Sequence, residues 1–195
     1  MQPEEIRSAV RSKYSEVAQS VSGKFAYPTG REGARALGYD PALIDAAHHG
    51  LLESFCGVGK PFSLFPIRPG SIILDIGCGA GFDLYIAARL TGPGGSVHGV
   101  DLTGAMVARA RENLQKAGIT NAEVQQVDSE SLPFEDNTFD MAISNGVINL
   151  SPEKETLFRE INRVLKPGGM FGFADVVLEQ SLPQGMASNA EAWSQ

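Results

Sequence analysis

Five short apolar segments, separated by segments with helical periodicity, limit the folds open to this chain more than any other feature. Each is bounded by Gly, Pro, Asp or Asn, and in order they read SIILDIG, SVHGVDL, AEVQQVD, FDMAISN and GMFGFADVVL. Nearly continuous apolar strands that alternate with helices are typical of a parallel sheet covered on both faces. The pattern predicts a doubly wound α/β fold with a mostly parallel sheet of five strands. Ligands of such sheets bind beyond the carboxyl ends of the strands, where the strand order reverses.

The helical segments that connect these strands lie at residues 80–90, 103–118 and 151–169. Thr103 is predicted to cap the second helix and Gly118 to end it. Ser151 is predicted to cap the third helix and Pro152 to open it. The predicted core stripe of the third helix consists of Leu157, Phe158, Ile161, Val164 and Leu165. Residues 129–138, SESLPFEDNT, predict a loop between the third and fourth strands.

The N-terminal part of the chain predicts a helical lid in front of the sheet. Residues 3–20 carry apolar side chains at helical spacing, which predicts an amphipathic helix. Residues 21–38 are interrupted by glycine and proline and predict a mobile connector. A second helix is predicted to have Asp40 as N-cap and Pro41 as its first residue, and to run to residue 55. The predicted division is a lid at residues 1–65 and a sheet domain at residues 66–195.

Composition and charge narrow the class of protein. The 195 residues suffice for one domain with an appendage, and the net charge of −7 disfavours nucleic acid as a partner. No run approaches the roughly 18 apolar residues that span a bilayer, and the first twenty residues contain no signal-peptide block. Cys56 and Cys78 are too few for a disulfide framework. We therefore expect a cytoplasmic protein with reduced thiols that associates with no membrane and is a monomer or a homodimer.

The glycine-containing loop after the first strand, LDIGCGAGFD, indicates the kind of ligand. Its glycines fall at positions 77, 79 and 81, and the sixth position of a dinucleotide fingerprint is Phe82 rather than glycine. No Gly-Lys-Ser/Thr follows, so the loop is not a phosphate-binding P-loop. Asp75 precedes the loop, where its carboxylate would repel a diphosphate and orient an ammonium or sulfonium group. The loop therefore predicts a cationic ligand.

This loop, with acids at the ends of the second and third strands, resembles that of the class I S-adenosylmethionine-dependent methyltransferases, which have a Rossmann-like fold. The resemblance implies that the glycine loop passes under the methionine portion of S-adenosylmethionine and that Asp101 binds both ribose hydroxyls. It also implies that Asp128 and Ser129 contact adenine, through a side chain and a backbone N–H respectively. The cofactor-binding residues so predicted are Asp75, Gly77, Cys78, Gly79, Gly81, Asp101, Leu102, Met106, Asp128, Ser129 and Asn145.

A closer resemblance, to the arsenite methyltransferase family, is carried by VRSKYSEVA, LGYDPALID, GVGKP, LDIGCGAGFD, GVDLTGAMVARAREN, SNGVINLSPEKE and VLKPGG. That family transfers methyl groups to trivalent arsenic held by cysteine thiolates. The positions matching two of those thiols are Val58 and Gly146, and a third would follow the segment NAEAWSQ. Trivalent arsenic is soft and bonds to sulfur, so these replacements remove the expected ligands. The resemblance also implies two further strands, which would make this a truncated chain or leave a sheet edge for a partner.

We therefore expect a methyltransferase that transfers a methyl group in line to a small acceptor, with arsenite in doubt. The predicted acceptor-side residues are Tyr14, Cys56, Val58, Gly146 and Asn149; the other polar candidates over the cofactor are Tyr39, His48, His49 and Glu53. No residue is assigned as a general base, and no metal site is expected. One alternative is a methyltransferase of oxygen, nitrogen or carbon, related to quinone and sterol methyltransferases. Another is a catalytically silent protein that binds the cofactor.

Overall fold

The computed structural model describes residues 2–177 and contains one five-stranded sheet. The strands are β1 (Ile72–Ile76), β2 (Ser96–Asp101), β3 (Ala122–Gln126), β4 (Phe139–Asn145) and β5 (Leu165–Ala174). Their order is β3-β2-β1-β4-β5, and every neighbouring pair is parallel. The prediction of a doubly wound α/β fold is therefore confirmed. Leu178, the last residue of the predicted fifth segment, and the segment NAEAWSQ lie outside the described residues.

The strand order reverses between β1 and β4, at the centre of the sheet. Asp75 on β1 pairs in register with Gly99 on β2 and with Ile143 on β4. The carboxyl ends of β1, β2 and β4 therefore lie side by side. This is the place where ligands bind in doubly wound sheets.

Three helices cover the faces of the sheet: α5 (Phe82–Thr91), α6 (Gly104–Lys116) and α7 (Lys154–Val164). Helix α7 starts two residues later than predicted, because Ser151 and Pro152 precede it in an extended and a turn segment. In the stripe of α7, Leu157, Ile161 and Val164 are buried, whereas Phe158 is 41% exposed and Leu165 already belongs to β5. No helix joins β3 to β4, as the loop prediction for residues 129–138 requires.

Four helices precede the sheet: α1 (Pro3–Val17), α2 (Gly30–Ala36), α3 (Pro41–Ala46) and α4 (His49–Glu53). The predicted caps of α3 are present, since the Asp40 carboxylate accepts a hydrogen bond from the Ala42 N–H at 2.8 Å. The single helix predicted to run to residue 55 is wrong. The backbone becomes extended at Ala47, and His48 caps the new helix by accepting from the Gly50 N–H at 3.2 Å. The connector predicted over residues 21–38 contains α2, which the sequence did not indicate.

The N-terminal helices share their hydrophobic core with the sheet domain. Tyr39 and Phe55 pack on Phe82, the first residue of α5, with ring centroids 5.2 and 4.9 Å away. On the other side, the Asn113 side chain of α6 donates to the carbonyl of Gly50 at 3.0 Å. These contacts fix the lid helices over the carboxyl ends of the strands. Within residues 2–177, no helix is both long and apolar enough to cross a membrane.

Candidate functional site

A cleft opens at the carboxyl ends of β1, β2 and β4, under helix α1, and most of the residues predicted from the sequence line it. Those that do are Tyr14, Cys56, Asp75, Gly77, Cys78, Gly79, Asp101, Leu102, Met106, Ser129, Asn145 and Gly146. Twelve of the twenty residues that the sequence predicts therefore lie at one site. The same cleft is also lined by residues that the sequence did not single out, among them Arg7, Asp83 and Leu150.

The glycine loop brings backbone close to the floor of the cleft. Gly77 has a φ of +71°, and the N–H groups of Gly77 and Cys78 both donate to the Val100 carbonyl at the end of β2. A Cβ at Gly77 would lie 2.3 Å from a methyl carbon of Val147. Glycine is therefore required there both by the backbone conformation and by the side chain packed against it. Val147 closes the cleft on the side of β4.

Asp75 lies at the bottom of the cleft with an unsatisfied oxygen. Its side chain is 1% exposed, and its Oδ2 atom has no hydrogen-bond partner among the described residues. Burial, with the charges of Asp83 and Asp101, raises the pKa of Asp75 well above its usual value. A buried carboxylate without a partner is costly, so this position favours a cationic or hydrogen-bond-donating ligand. An ammonium or sulfonium group fits it, whereas a phosphate does not.

The Asp101 carboxylate is fixed at the edge of the same cleft. Its Oδ2 accepts from the Gly79 N–H at 2.9 Å and its Oδ1 accepts from the Thr103 N–H at 2.8 Å. Burial raises the pKa of Asp101, and these backbone hydrogen bonds oppose that rise. Because each carboxylate oxygen can accept more than one hydrogen bond, the group can also receive two vicinal hydroxyls. The predicted ribose acid therefore has a geometry that suits its role.

Arg7 and Glu130 join helix α1 to the far side of the cleft. The Arg7 side chain donates to Glu130, with Nε at 3.2 Å, and also pairs with Glu153. Ser151 donates its hydroxyl to the other Glu130 oxygen at 2.7 Å. Burial acts against these hydrogen bonds, yet they hold the pKa of Glu130 below its usual value. Sequence reasoning missed this cluster because 123 residues separate Arg7 from Glu130.

The two positions that match family thiols face each other beside the cleft, which Gly146 lines and Val58 does not. An ideal Cβ on Gly146 would lie 3.6 and 3.7 Å from the two methyl carbons of Val58. Cys56 lines the cleft two residues earlier, and burial raises the pKa of its thiol to about 12. Tyr14 lines it as well, and burial raises the pKa of its hydroxyl. The acceptor side therefore presents a protonated thiol, a neutral phenol and apolar groups.

Several predicted residues do not line the cleft. Gly81 packs behind the loop, where a Cβ would lie 3.3 Å from that of Ala110, and Asp128 is exposed. The backbone N–H of Asn149 donates to the Asp175 carboxylate at 2.9 Å. The Oδ1 atom of Asn149 is buried and has no hydrogen-bond partner among the described residues. The remaining acceptor-side candidates that do not line the cleft are Val58, Tyr39, His48, His49 and Glu53. The ligand roles of all these residues stay predictions.

Metal binding finds no support in residues 2–177, where no three His, Cys, Asp or Glu side chains cluster in a way that could hold an ion. The acids of the cleft are instead engaged one by one with backbone N–H groups or side-chain donors, apart from the open oxygen of Asp75. The cleft can therefore hold an organic cation with vicinal hydroxyls, which is the chemistry of S-adenosylmethionine.

Known proteins resemble the chain along most of its length. An arsenite methyltransferase of Halobacterium salinarum is 38% identical over 199 residues, which cover 93% of this chain and 50% of that protein. A demethylmenaquinone methyltransferase of Bacillus cytotoxicus is 35% identical over 121 residues, covering 62% of this chain and 49% of the relative. The chain thus spans about half the length of these two relatives.

Solved structures of methyltransferases also resemble this chain. The crystal structure of CrArsM, an arsenic(III) S-adenosylmethionine methyltransferase from Chlamydomonas reinhardtii, superposes with a TM-score of 0.64 at 34% identity, covering 86% of this chain and 58% of that one. A family model described as a methyltransferase domain matches residues 67–195, which is more than half of the chain and contains the whole sheet. The chain therefore belongs to the methyltransferase domain family.

Proposed function

We propose that this chain binds S-adenosylmethionine and transfers its methyl group to a small-molecule acceptor. The observation that carries the proposal is the pair of carboxylates around the glycine loop. Asp75 has a buried oxygen without a partner in the described residues, and Asp101 is held by two backbone N–H groups. This pair suits a ligand with a cationic amino acid portion at one end and a ribose at the other.

Each part of the cleft has a defined task in this proposal. When bound, S-adenosylmethionine supplies a methyl group on a positively charged sulfur. Asp75 holds the amino group, and Asp101 receives the ribose hydroxyls. Apolar side chains such as Val147 and Met106 exclude water, and helix α1 covers the cleft. The chain then acts mainly by holding the donor and the acceptor in line in a dry site.

Isothermal titration of the purified chain with S-adenosylmethionine tests the cofactor. We expect saturable binding by the unchanged protein and a loss of at least about tenfold in affinity for Asp101→Ala, because hydrogen bonds to a charged group contribute about 1.5–3 kcal/mol. Asp45→Ala is the matched control, since Asp45 is an exposed acid paired with Arg31 and Arg35 away from the cleft. Absence of binding by the unchanged chain would refute the proposal.

The acceptor we propose is an apolar organic molecule rather than thiolate-bound arsenite. Val58 and Gly146 supply no sulfur, and the one thiol on the acceptor side, Cys56, is held in its protonated form by burial. Soft metalloids bind thiolates, so this wall offers them little. Phe55, Val147 and Leu150 also line the cleft and suit a ring system. The demethylmenaquinone methyltransferase among the relatives acts on a molecule of this class.

Two acceptors distinguish these possibilities. We expect methyl transfer from S-adenosylmethionine to demethylmenaquinone in detergent, and none to arsenite in the presence of glutathione. Arsenite-dependent turnover that disappears in Cys56→Ser would show that this acceptor assignment is wrong. Binding of the cofactor without transfer to either acceptor would favour the silent binding protein.

The proposal also covers the partners, the location and the oligomeric state of the protein. The net charge of −7 disfavours nucleic acid as the substrate. We also propose a cytoplasmic location, because Cys56 and Cys78 form no disulfide. We further propose a monomer or a homodimer.

A further inference from the structure

Asn145, at the end of β4, holds the loop of residues 56–59 through both ends of its side chain. Its Oδ1 accepts from the backbone N–H groups of Val58 and Gly59 at 2.8 and 3.1 Å. Its Nδ2 donates to the Gly59 carbonyl at 2.9 Å. One amide group therefore binds three backbone groups of the loop. Gly57 makes room for it, since a Cβ there would lie 2.3 Å from the Asn145 Nδ2.

Two further side chains hold the Asn145 amide in this orientation. The Asp83 Oδ2 accepts from the Asn145 Nδ2 at 2.9 Å, and the Asp83 Oδ1 accepts from the Tyr39 hydroxyl at 2.6 Å. The Tyr39 oxygen also lies 3.2 Å from the Asn145 Nδ2 and 3.0 Å from the Gly59 carbonyl oxygen. Tyr39 is 3% exposed and Asp83 is 7% exposed. We call Tyr39, Asp83 and Asn145 the Asn145 network.

The loop that the network holds forms the acceptor side of the cleft. It carries Cys56 and Gly57, which line the cleft, and Val58, whose methyl groups face Gly146. Gly146 follows Asn145 directly in the chain, so the same residue anchors both walls of this gap. The network's donors and acceptors are used within the network and on the loop, while the open carboxylate oxygen belongs to Asp75.

We infer that Asp83 and Tyr39 are positioning residues. Asp83 acts through Asn145, and Tyr39 acts both through Asn145 and directly on the Gly59 carbonyl. Together they set the place of the loop of residues 56–59, and thereby the fit of the acceptor, without holding the cofactor. Only the effect on acceptor binding depends on the proposed function. The position of the loop itself depends on contacts that can be tested in the protein alone.

Amide hydrogen exchange tests the position of the loop. In Tyr39→Phe and in Asp83→Asn, we expect exchange at Val58 and Gly59 to accelerate at least about fivefold, which corresponds to one ordinary hydrogen bond. In Asp83→Asn one of the two acceptor oxygens becomes a donor, so the side chain can no longer accept from both the Asn145 Nδ2 and the Tyr39 hydroxyl. Exchange at Ile73 and Leu74 in β1 should stay unchanged, because their amides are bound in the sheet ladder and the hydrogen bonds of the network involve neither residue.

The control is Tyr85→Phe, which removes a hydroxyl from a buried tyrosine on α5, the helix that also carries Asp83. The Tyr85 hydroxyl makes no hydrogen bond within residues 2–177, and Tyr85 is 1% exposed. We expect the exchange rates of this variant to match those of the unchanged protein. Unaltered exchange at Val58 and Gly59 in both network variants would overturn the inference, as would equal acceleration in β1.

The second readout separates the loop from the cofactor. We expect the dissociation constant for S-adenosylmethionine to change less than about threefold in Tyr39→Phe, below the factor that one lost hydrogen bond gives. The KM for demethylmenaquinone should rise at least about fivefold by the same measure. An equal loss of cofactor affinity would show that the network holds the cofactor and would overturn the inference. If the unchanged chain binds no cofactor, the proposed function fails, and the exchange experiment still decides the role of the network.

Discussion

At the scale of single residues, the strongest prediction concerns the open oxygen of Asp75. Replacement by asparagine keeps the shape and removes the negative charge. We expect Asp75→Asn to lower the affinity for S-adenosylmethionine about ten- to a hundredfold, the range for a charged hydrogen bond of about 1.5–3 kcal/mol. The free energy of unfolding of the cofactor-free protein should stay the same or rise, because a buried unpaired charge is lost. Titration calorimetry and urea denaturation measure the two effects, and unchanged affinity would contradict the assignment.

Gly77 allows a second prediction at this scale, because its backbone and its neighbour both require glycine. Alanine at Gly77 would meet the Val147 side chain at 2.3 Å and would adopt a φ of +71°. We expect Gly77→Ala to lower the free energy of unfolding by more than the roughly 1–2 kcal/mol of left-handed strain alone. Gly118→Ala is the matched control, since Gly118 has a φ of +67° and nothing within 4 Å of a Cβ. Equal losses in the two variants would show that Val147 yields without cost.

The sequence was sufficient for residues whose roles depend on local pattern. The alternate glycines fix a tight turn after a buried strand, and Asp75 and Asp101 are placed by strand ends. Gly77, Gly79 and both acids therefore reach the cleft as expected, whereas Gly81 packs behind the loop. The Asn145 network could not be predicted in the same way, because Asp83 and Asn145 are 62 residues apart and meet only through the strand order. Asn145 was predicted to contact the cofactor. Its amide instead binds the loop of residues 56–59, and a cofactor contact stays a prediction.

At the scale of elements, Arg7 links helix α1 to the far side of the cleft, beside the apolar face that the helix buries. We expect Arg7→Gln to lower the free energy of unfolding by about 1–3 kcal/mol, because Glu130 is 7% exposed and loses its charged partner. Arg11→Gln on the same helix is the control. Within residues 2–177 the Arg11 side chain pairs only with Glu4, which is 64% exposed, and such pairs contribute about 0–1 kcal/mol. Urea denaturation of both variants measures the difference, and equal values would show that α1 is held by its apolar face alone.

The strands were easier to predict than the N-terminal helices. Each strand is a short apolar segment with a clear turn signal at its ends, and each appears in the sheet. The break between α3 and α4 has no such signal, since Ala47 and His48 are neither glycine nor proline. The break arises because α4, which contains Gly50 and Leu51, packs on α6, where the Asn113 side chain donates to the Gly50 carbonyl. Tertiary contact therefore overrides a continuous helical pattern.

At the scale of the whole molecule, buried acids gather where a cation is expected. Asp75, Asp83 and Asp101 line one cleft, burial raises the pKa of all three, and the charges of Asp83 and Asp101 raise the pKa of Asp75 further. In a chain with a net charge of −7, this arrangement lowers the stability of the cofactor-free protein at neutral pH and favours a positively charged ligand. The strand order brings these acids together, because β1, which carries Asp75, lies between β2 and β4 and all three strands end at the same edge of the sheet.

The pH dependence of stability follows from Asp83. Burial raises the pKa of Asp83 from 3.8 to about 6, so the folded state binds this proton more tightly than the unfolded state. The stabilisation by protonation is fully present below pH 4 and is lost as the pH rises through about 6. The free energy of unfolding of the unchanged protein minus that of Asp83→Asn should therefore fall by up to about 3 kcal/mol between pH 4 and 7.

Asp140→Asn is the control, because the pKa of Asp140 is shifted in the opposite direction. Burial acts to raise this pKa, but hydrogen bonds from Lys166 and the Ile72 N–H outweigh burial and leave it lowered. The free energy of unfolding of the unchanged protein minus that of Asp140→Asn should therefore be constant above pH 5. Urea denaturation across this range measures both differences, and a flat profile for Asp83→Asn would mean that this carboxyl group ionises in the folded protein as it does in the unfolded chain.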